Sequence, residues 1–439
     1  MQSRSDVSSG DGRSSNGGQS LFQLLGLRIP RLQTFDSLSE SGSFRWLWVS
    51  NFFSQGATWL QVLTVGWLVR DLTTGSVMSP LLVVLAGGIG FIPGVITGPF
   101  GGALGDRFDR RKLLMLIQAV MSLFSITFAL LVGARLVSVI HVYVYAFVSG
   151  MGRSIVMPTG MAIVPDTVPE RLLGNAIASN VLTIPLTRAV GPFIGGILIT
   201  YLGFFWNFTL ESVFYAASIG CLVFLKLPNS VSPKTRSNSS IIGDLVEGFK
   251  YVWKDNRVLL YLTFVAIIPN TLLEPALYLL PVFTSEVLRR GADIGGYLMA
   301  INGVGGVTSA IFIISFGFVF SRGKIILVSA ITSSVLLLLF SHSYVMPLAF
   351  MLIYLFAISQ SSFRTTMVTL IQSMSIPEMR TRVISLQTYS MSFVLLTSLI
   401  IGWFAGFMTV SIALAALAAV GILGGLFMNA FQSQIKELK

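Results

Sequence analysis

Long runs of apolar residues, separated by short polar connections, fill the chain between Phe44 and Phe431. A helix needs about 20 mostly apolar residues to cross the hydrocarbon core of a bilayer. On that rule the pattern contains about twelve spanning segments. The sequence therefore predicts an all-α membrane protein that crosses the bilayer about twelve times.

The segments predicted to span the membrane are, in order, 45–70, 79–104, 113–132, 137–160, 174–200, 204–226, 258–283, 292–318, 324–341, 345–368, 382–407 and 409–430. Residues 1–43 begin with a Ser-, Gly- and Asn-rich stretch that cannot bury a core, and we expect a disordered tail. Residues 227–257 are polar and then amphipathic, so we expect a linker along the membrane surface. It would join an N-terminal half, 44–226, to a C-terminal half, 258–431, with a short tail at 432–439.

The composition excludes a water-soluble protein. The chain is 54% hydrophobic and only 11% charged, whereas soluble domains carry about 25% charged residues. The formal net charge of +11 is compatible with nucleic-acid binding, but basic residues also flank membrane spans on the cytoplasmic side, which fits this pattern better. The single cysteine, Cys221, lies in an apolar run and excludes a disulfide framework.

The distribution of Lys and Arg predicts the orientation of the chain. If both termini are cytoplasmic, most of the 29 basic residues fall on the cytoplasmic side. The opposite side receives Arg70, Arg135, Arg289 and Arg290. This arrangement satisfies the positive-inside rule, so we expect a multi-pass protein with both ends in the cytoplasm.

The two halves resemble each other in sequence. Val168-Pro169-Glu170-Arg171 follows the fourth predicted span, and Ile376-Pro377-Glu378-Met379-Arg380 follows the tenth. Arg153 in the fourth span is matched by Arg364 in the tenth. Two parallel six-helix repeats around a site at the bilayer midplane are typical of one transporter architecture. The sequence therefore predicts two pseudo-symmetric six-helix bundles.

Three motifs resemble those of the major facilitator superfamily. Gly102, Asp106, Arg107, Arg110 and Arg111 fit that superfamily's loop pattern G-x-x-x-D-R-x-x-R-[RK], with Asp109 in place of the usual glycine. Arg188, Gly191, Pro192, Gly195 and Gly196 are similar to its antiporter motif, although Thr187 and Ala178 replace the upstream glycines. The run from Val164-Pro165-Asp166 through Asn175-Ala176-Ile177-Ala178 looks like the third drug:proton antiporter group, which includes macrolide-efflux and enterobactin-exporter relatives.

The resemblance implies a gate in the basic loop. Asp106 would pair with a helix end or an arginine of the other half when the transporter faces outward, and breaking that contact would bias a two-state equilibrium. The alternative is that this loop only sets the topology. A nucleotide-phosphate site is excluded because the loop lacks the glycine-lysine-hydroxyl arrangement of such sites.

Glycines at four-residue spacing predict close helix packing. Gly90, Gly94, Gly98 and Gly102 form one stripe, and Gly191 and Gly195 form another. Small residues at this spacing let helix backbones approach closely. The resemblance implies that the second and fifth spans pack against the opposite half. Pro192 is expected to bend the fifth span.

Charged side chains inside the spans are the strongest functional signal. Glu274 lies midway through the seventh span, and burying a charge there costs about 3 kcal/mol or more, so such residues usually face an aqueous cavity or a partner. We expect Glu274, and after it Glu211, to carry the proton in coupled transport. The alternative for Glu274 is a structural ion pair with Arg153, Arg188 or Arg364.

Polar residues on one face of a span predict a wall of the substrate cavity. The candidates for contact with the substrate are Asn51, Gln55, Trp59, Arg153, Asn270, Gln360, Arg364 and Gln387. Interhelical hydrogen bonding is the alternative role for the amides among them.

No residue cluster predicts an enzyme, a metal site or a cofactor site. His141 and His342 are isolated in the sequence, and no nucleophile has a base beside it. We expect no cofactor, no metal and no nucleic-acid partner. The expected partners are membrane lipid, a small-molecule substrate and protons, and a monomer is expected.

The sequence as a whole predicts a secondary active transporter that works by alternating access. Proton-coupled efflux of amphipathic drug-like compounds or siderophores from the cell, across the inner (plasma) membrane, is the function that the resemblance implies. One alternative is an importer or facilitator of a small solute. A second is a receptor-like or enzymatic membrane protein on the same scaffold, although the residues for an enzyme are not found.

Overall fold

The computed structural model describes residues 36–94, 108–227, 273–316, 321–374 and 393–431, with the single positions 250, 253 and 262. These ranges are helical, and no strand occurs in them. The helices are α1 (Asp36–Glu40), α2 (Gly42–Leu72), α3 (Ser79–Ile89), α4 (Arg110–Gly133), α5 (Val139–Thr167), α6 (Leu173–Val181), α7 (Thr183–Leu202), α8 (Phe204–Phe224), α9 (Pro275–Tyr278), α10 (Leu280–Glu286), α11 (Ala292–Phe316), α12 (Arg322–Ser341), α13 (Met346–Met374), α14 (Phe393–Phe407) and α15 (Val410–Phe431).

The helices fall on the predicted spans, but the fifth span is divided between α6 and α7, and the described end of the seventh is divided between α9 and α10. Eight helical stretches among the described residues are long and apolar enough to cross a membrane. Two further apolar helices are shorter: Ser79–Gly94, which contains α3, and Phe393–Phe407, which is α14. The predicted linker, the first 35 residues and the last eight lie almost wholly outside the described residues. The boundaries of the two halves therefore stay a prediction, while the chain itself is an all-α, multi-pass membrane protein.

The structure differs from the prediction at residues 36–43, which belong to helices rather than to a disordered tail. Ser41 caps α2 by accepting a hydrogen bond from the Phe44 amide at 3.2 Å. Its hydroxyl also donates to the Thr167 carbonyl at 2.6 Å, and the Ser37 amide donates to the Asn175 side chain at 3.0 Å. These contacts hold α1 against the turn between α5 and α6.

The predicted fifth span is divided at Leu182, between α6 and α7, and helix α7 continues through Pro192. Gly203, with φ of +86°, then lets the chain reverse directly into α8. At the start of α4, the Asp109 carboxylate accepts from the Lys112 amide at 3.1 Å and caps the helix.

We name the two ends of the bundle after an arginine that lies at each end. The Arg70 end contains the turns α2–α3, α4–α5, α7–α8, α10–α11, α12–α13 and α14–α15, and the Arg110 end contains the starts of α4 and α12. Successive spans alternate between these ends, as expected for spans joined by short turns.

Glycines set the crossing between the two halves. A Cβ on Gly196 would lie 2.7 Å from the Ala292 carbonyl and 3.0 Å from Gly296 Cα, so α7 and α11 touch backbone to backbone. Further along the same pair of helices, a Cβ on Gly303 of α11 would lie 2.6 Å from the Arg188 carbonyl carbon of α7. Small residues allow this approach, which supplies the van der Waals packing that holds helices together in lipid.

The second and fifth spans pack against the opposite half, as the resemblance implies, but through glycines other than those of the two stripes. Gly90 packs within its own half, because a Cβ on Gly150 of α5 would lie 3.1 Å from Gly90 Cα, and Gly94 has no atom within 4 Å of such a Cβ. Gly191 and Gly195 lie against α2, also in their own half. The contacts with the opposite half come from the neighbouring positions Gly87 and Gly88, against Tyr278 and Leu395, and Gly196, against Gly296. Gly98 and Gly102 lie outside the described residues.

Candidate functional site

An ion-pair cluster joins α7, α13 and the residue that precedes α9 near the middle of the bundle. Glu274, just before α9, accepts a hydrogen bond from Arg188 Nη2 of α7 at 2.9 Å through Oε1. Its Oε2 accepts from Arg364 Nη2 of α13 at 2.8 Å. Arg188 lies in the N-terminal half, and the other two residues lie in the C-terminal half. We call these three residues the central triad, and one of its two ion pairs crosses between the halves.

The triad is buried to different depths. Glu274 and Arg188 are almost completely buried, and the side chain of Arg364 keeps 33% of its surface exposed. Gln360 Nε2, one turn before Arg364, lies 3.5 Å from Glu274 Oε2. Glu274 therefore occupies the structural ion pair that the sequence offered as the alternative to a proton carrier, and its partners are two of the three arginines proposed for that role.

Aromatic rings surround the arginines. The Arg188 guanidinium lies over the Trp59 ring at 4.2 Å from its centroid, an arrangement in which the ring face attracts the cation. Arg153 lies over the Phe91 ring at 5.0 Å and donates from Nη2 to the Gly90 carbonyl at 3.0 Å. The described ion pairs of Glu274 do not include Arg153, so the structure separates it from the triad.

Two small cavities lie beside Arg153. One is lined by Gln61, Gly87, Gly90, Gly150, Arg153 and Tyr278, among others. The other is lined by Ser54, Gln55, Thr58, Gly152, Arg153 and Tyr215, among others. Gln55 and Arg153 thus line a cavity, and their contact with a substrate stays a prediction. Asn51 instead donates to the Asn180 side chain at 2.8 Å, which is the alternative role of interhelical bonding.

Glu211 occupies a second buried site within the N-terminal half, on α8. Its Oε1 lies 2.7 Å from the Tyr145 hydroxyl of α5, which lies 2.9 Å from Ser125 Oγ of α4. Ser125 in turn donates to the Phe208 carbonyl at 3.0 Å. Glu211 is only 1% exposed and none of the described salt bridges includes it. The tyrosine and serine partners were not predicted, since nothing in their spacing marks them.

Hydrogen counting distinguishes the two protonation states of this series. Each hydroxyl supplies one hydrogen, so Tyr145 and Ser125 together supply two for three contacts. A proton on Glu211 would complete the series, whereas an ionised Glu211 leaves one contact without a hydrogen. The remaining oxygen, Glu211 Oε2, is buried with no hydrogen-bond partner in the described part of the chain.

The described part of the basic loop contacts helix ends of its own half. Arg110 Nη1 donates to the Ala162 carbonyl at 3.0 Å and lies 3.5 Å from Asp166 Oδ2. Arg111 donates to the Leu222 and Val223 carbonyls at the end of α8, both at 2.7 Å. The two Arg111 contacts satisfy carbonyls in the last turn of α8, where terminal carbonyls lack an α-helical partner. Gly102, Asp106 and Arg107 lie outside the described residues, as do the cavity candidates Asn270 and Gln387.

A polar contact at the Arg70 end also joins the halves. Arg70 Nε donates to Ser285 Oγ at 3.1 Å, and Arg70 Nη2 lies 3.4 Å from Glu286 Oε1. Burial raises the pKa of Glu286, and the charge of Arg70 opposes that rise. Sequence analysis missed this contact because both residues lie at predicted span ends, where charges are ordinary.

Comparisons with known proteins agree with the fold. A family model described as transmembrane secretion effector matches residues 34–438. The enterobactin exporter EntS of Shigella boydii serotype 4 (strain Sb227) is 26% identical over 215 residues, which are 49% of this chain and 50% of that protein. The chain thus matches about half the length of the curated relatives.

Solved structures support the fold alone, because their identities are low. A POT family transporter in complex with thioalcohol-conjugated peptide superposes with a TM-score of 0.74 at 12% identity, over 92% of this chain and 100% of that one. A D-xylose–proton symporter has a TM-score of 0.68 at 16% identity, over 89% and 98%.

Proposed function

Because the chain belongs to the transmembrane secretion effector family of the major facilitator superfamily, we propose that it is a proton-coupled exporter of amphipathic drug-like compounds or siderophores. The observation that carries the proposal is the Arg188–Glu274–Arg364 triad, which joins the two halves by a charged contact near the middle of the bundle. The family is one of membrane transporters rather than enzymes.

The triad suits alternating access because it can exist in two arrangements. Separating the halves around α7 would break the Arg188–Glu274 contact while leaving Glu274 paired with Arg364 inside the C-terminal half. A buried charge keeps one partner throughout, which lowers the cost of the transition. The two conformations can then differ by the few kcal/mol that a ligand or a proton can overcome.

Glu211 is the better placed of the two proton candidates. Its hydrogen-bond series is complete only when the carboxyl carries a proton, and the titratable groups that face it are Tyr145 and Tyr215. Tyr215 lies one turn further along α8 and lines a cavity beside Arg153, which offers a route towards the cavity. Glu274 already has two cationic partners, which favour its ionised form.

Export and siderophore-like substrates rest on the relatives, of which EntS is described as an enterobactin exporter. No described observation favours an importer or facilitator over an exporter. On the positive-inside rule, the Arg110 end and both termini would lie on the cytoplasmic side of a bacterial inner membrane. Lipid and a small molecule are the partners, and the protein would act as a monomer.

Everted membrane vesicles from cells producing the protein would test the proposal. A panel of amphipathic dyes and catecholate siderophores is offered outside, with a proton gradient that is acid inside. We expect ATP-independent accumulation of at least one compound, abolished by an uncoupler. Vesicles without the protein are the control. Accumulation that survives the uncoupler would contradict proton coupling, and no accumulation of any compound would contradict export.

A further inference from the structure

The centre of the bundle carries more positive than negative charge. Three arginines, Arg153, Arg188 and Arg364, and one carboxylate, Glu274, all interact electrostatically with the Tyr278 hydroxyl. Within the segments predicted to span the membrane, the other acidic residues are Glu211 and, at the Arg70 end, Asp293. Since a charge in the membrane interior usually has a counter-charge, the two surplus cations call for an anion from outside the chain.

Buried donors at the same place lack acceptors. Arg188 Nε and Arg364 Nε have no hydrogen-bond partner among the described residues, and neither does Trp59 Nε1 beside Arg188. Arg188 is more than nine-tenths buried. A buried donor without an acceptor is costly and uncommon in folded proteins. Three such donors around one ion-pair cluster point to a ligand that supplies acceptor oxygens.

The residues around the arginines indicate the chemistry of the rest of that ligand. Trp59 lies against Arg188 and Phe91 against Arg153, and Phe91 packs edge-on to Tyr278 with centroids 6.2 Å apart. Aromatic walls beside cations suit a molecule with an apolar or aromatic body and an anionic group. Arg364, with a third of its side chain exposed, is the member of the triad that such a molecule can reach first.

We propose that the triad and its aromatic walls are the binding site for an amphipathic organic anion, whose anionic group replaces Glu274 on Arg364 and Arg188. In the unliganded protein Glu274 holds the two guanidinium groups. When the anion binds, it takes over those charge-assisted hydrogen bonds. The proposal rests on the proposed transport function, because the bound anion is the transported substrate.

Binding of dansylglycine and of its uncharged amide to the purified full-length protein in lipid nanodiscs would test the site. The two fluorescent probes share one apolar body and differ in the carboxylate. We expect dansylglycine to bind at least about 10-fold more tightly, the effect of about one charge-assisted contact. Added salt should weaken the binding of dansylglycine and leave the binding of the amide unchanged. Empty nanodiscs correct for partition into lipid.

Substitutions locate the binding. Arg364→Gln should weaken dansylglycine about 10-fold and leave the amide unchanged, while the exposed Arg135→Gln, a matched loss of charge at the Arg70 end, should change neither. Glu274→Gln should bind the anion at least as tightly as the natural protein, because the competing carboxylate is gone. A merely structural triad would instead weaken both probes in both triad variants.

Three results would overturn the proposal: equal affinity for the anion and the amide, no effect of Arg364→Gln, or loss of anion binding in Glu274→Gln. If Arg364→Gln or Glu274→Gln does not fold, its result is set aside, and the comparison of the two probes and their salt dependence on the natural protein decides. Binding does not require a proton gradient. An anion-selective site without uncoupler-sensitive transport would therefore contradict the proposed function alone, and transport without anion selectivity would contradict this inference alone.

Discussion

Gly196 of α7 and Gly296 of α11 lie face to face where the two halves cross. A Cβ built on Gly296 would lie 2.8 Å from Gly196 Cα, and its nearest neighbours are backbone atoms that cannot turn aside. Two helices from different halves therefore pack here without any intervening side chain. Closure at this point depends on both residues having no side chain.

Substitution Gly296→Ala should destabilise the observed conformation by about 1–3 kcal/mol, because the methyl group overpacks a backbone contact. Thermal unfolding in detergent measures this. Gly220→Ala on α8, where an added Cβ meets nothing within 4 Å, is the matched control and should not lower the unfolding temperature. Equal effects of the two substitutions would show that the crossing has room.

Removal of Glu274 should cost more stability than removal of Arg188. Glu274→Gln leaves the buried Arg188 and the partly exposed Arg364 without their carboxylate, and breaking a buried pair in this way costs about 3–5 kcal/mol. Arg188→Gln leaves Glu274 paired with Arg364 at 2.8 Å. Thermal unfolding of both variants gives the order, and the reverse order would contradict the shared role of Glu274.

Glu211→Gln should fold with nearly the natural stability, within about 1 kcal/mol, because an amide can donate to the Tyr145 hydroxyl as a protonated carboxyl does. Proton-driven accumulation should be lost, because the amide cannot release a proton. Substrate exchange across vesicles without a gradient should continue. Measuring vesicle transport with and without a gradient distinguishes a loss of proton coupling from a loss of transport. Full proton-driven transport by this variant would show that Glu211 does not carry the coupled proton.

Tyr145→Phe should break the hydrogen-bond series of Glu211 at its tyrosine hydroxyl rather than at the carboxyl group. The phenylalanine keeps the ring packing against Phe128, whose centroid lies 4.3 Å away, but it leaves Glu211 Oε1 without its hydroxyl partner. We expect a loss of about 1–3 kcal/mol for the buried group left unpaired. Thermal unfolding measures the loss. Tyr143→Phe, also on α5, is the control, because the Tyr143 hydroxyl donates to the Leu82 carbonyl of α3 rather than to Glu211.

Acid at the Arg70 end should favour the observed conformation. Partial burial raises the pKa of Glu286 here, where 42% of its side chain is exposed, whereas in a conformation that exposes the residue fully its pKa returns towards about 4.3. The conformation with the higher pKa binds the proton more tightly, so its population rises as the pH falls. Spin labels at Arg135 and Tyr344, both exposed and in different halves, would report the separation at about pH 5 and about pH 8.

The Glu286→Gln variant removes the titrating group. Its distance distribution should not change between the two pH values, and it should resemble that of the natural protein in acid. A pH-dependent distance that persists in this variant would assign the response to another group.

Twelve apolar runs, their order and the charges within them were already present in the sequence, because the bilayer demands long apolar helices and makes every intramembrane charge conspicuous. That is why the helices α4, α5, α8, α11, α12, α13 and α15 fall on predicted segments, and why Glu274, Glu211, Arg188 and Arg364 were all singled out. The same rule could not assign their partners, since a helix presents several faces and spacing along one chain does not say which face meets which neighbour. Only the tertiary structure shows that Glu274 lies between Arg188 and Arg364 and that Glu211 is hydrogen-bonded to Tyr145. It also shows that Gly196, rather than Gly191, contacts the opposite half. Pairing across 66 to 90 residues is decided by how whole helices pack, and packing depends on the shapes of both surfaces at once.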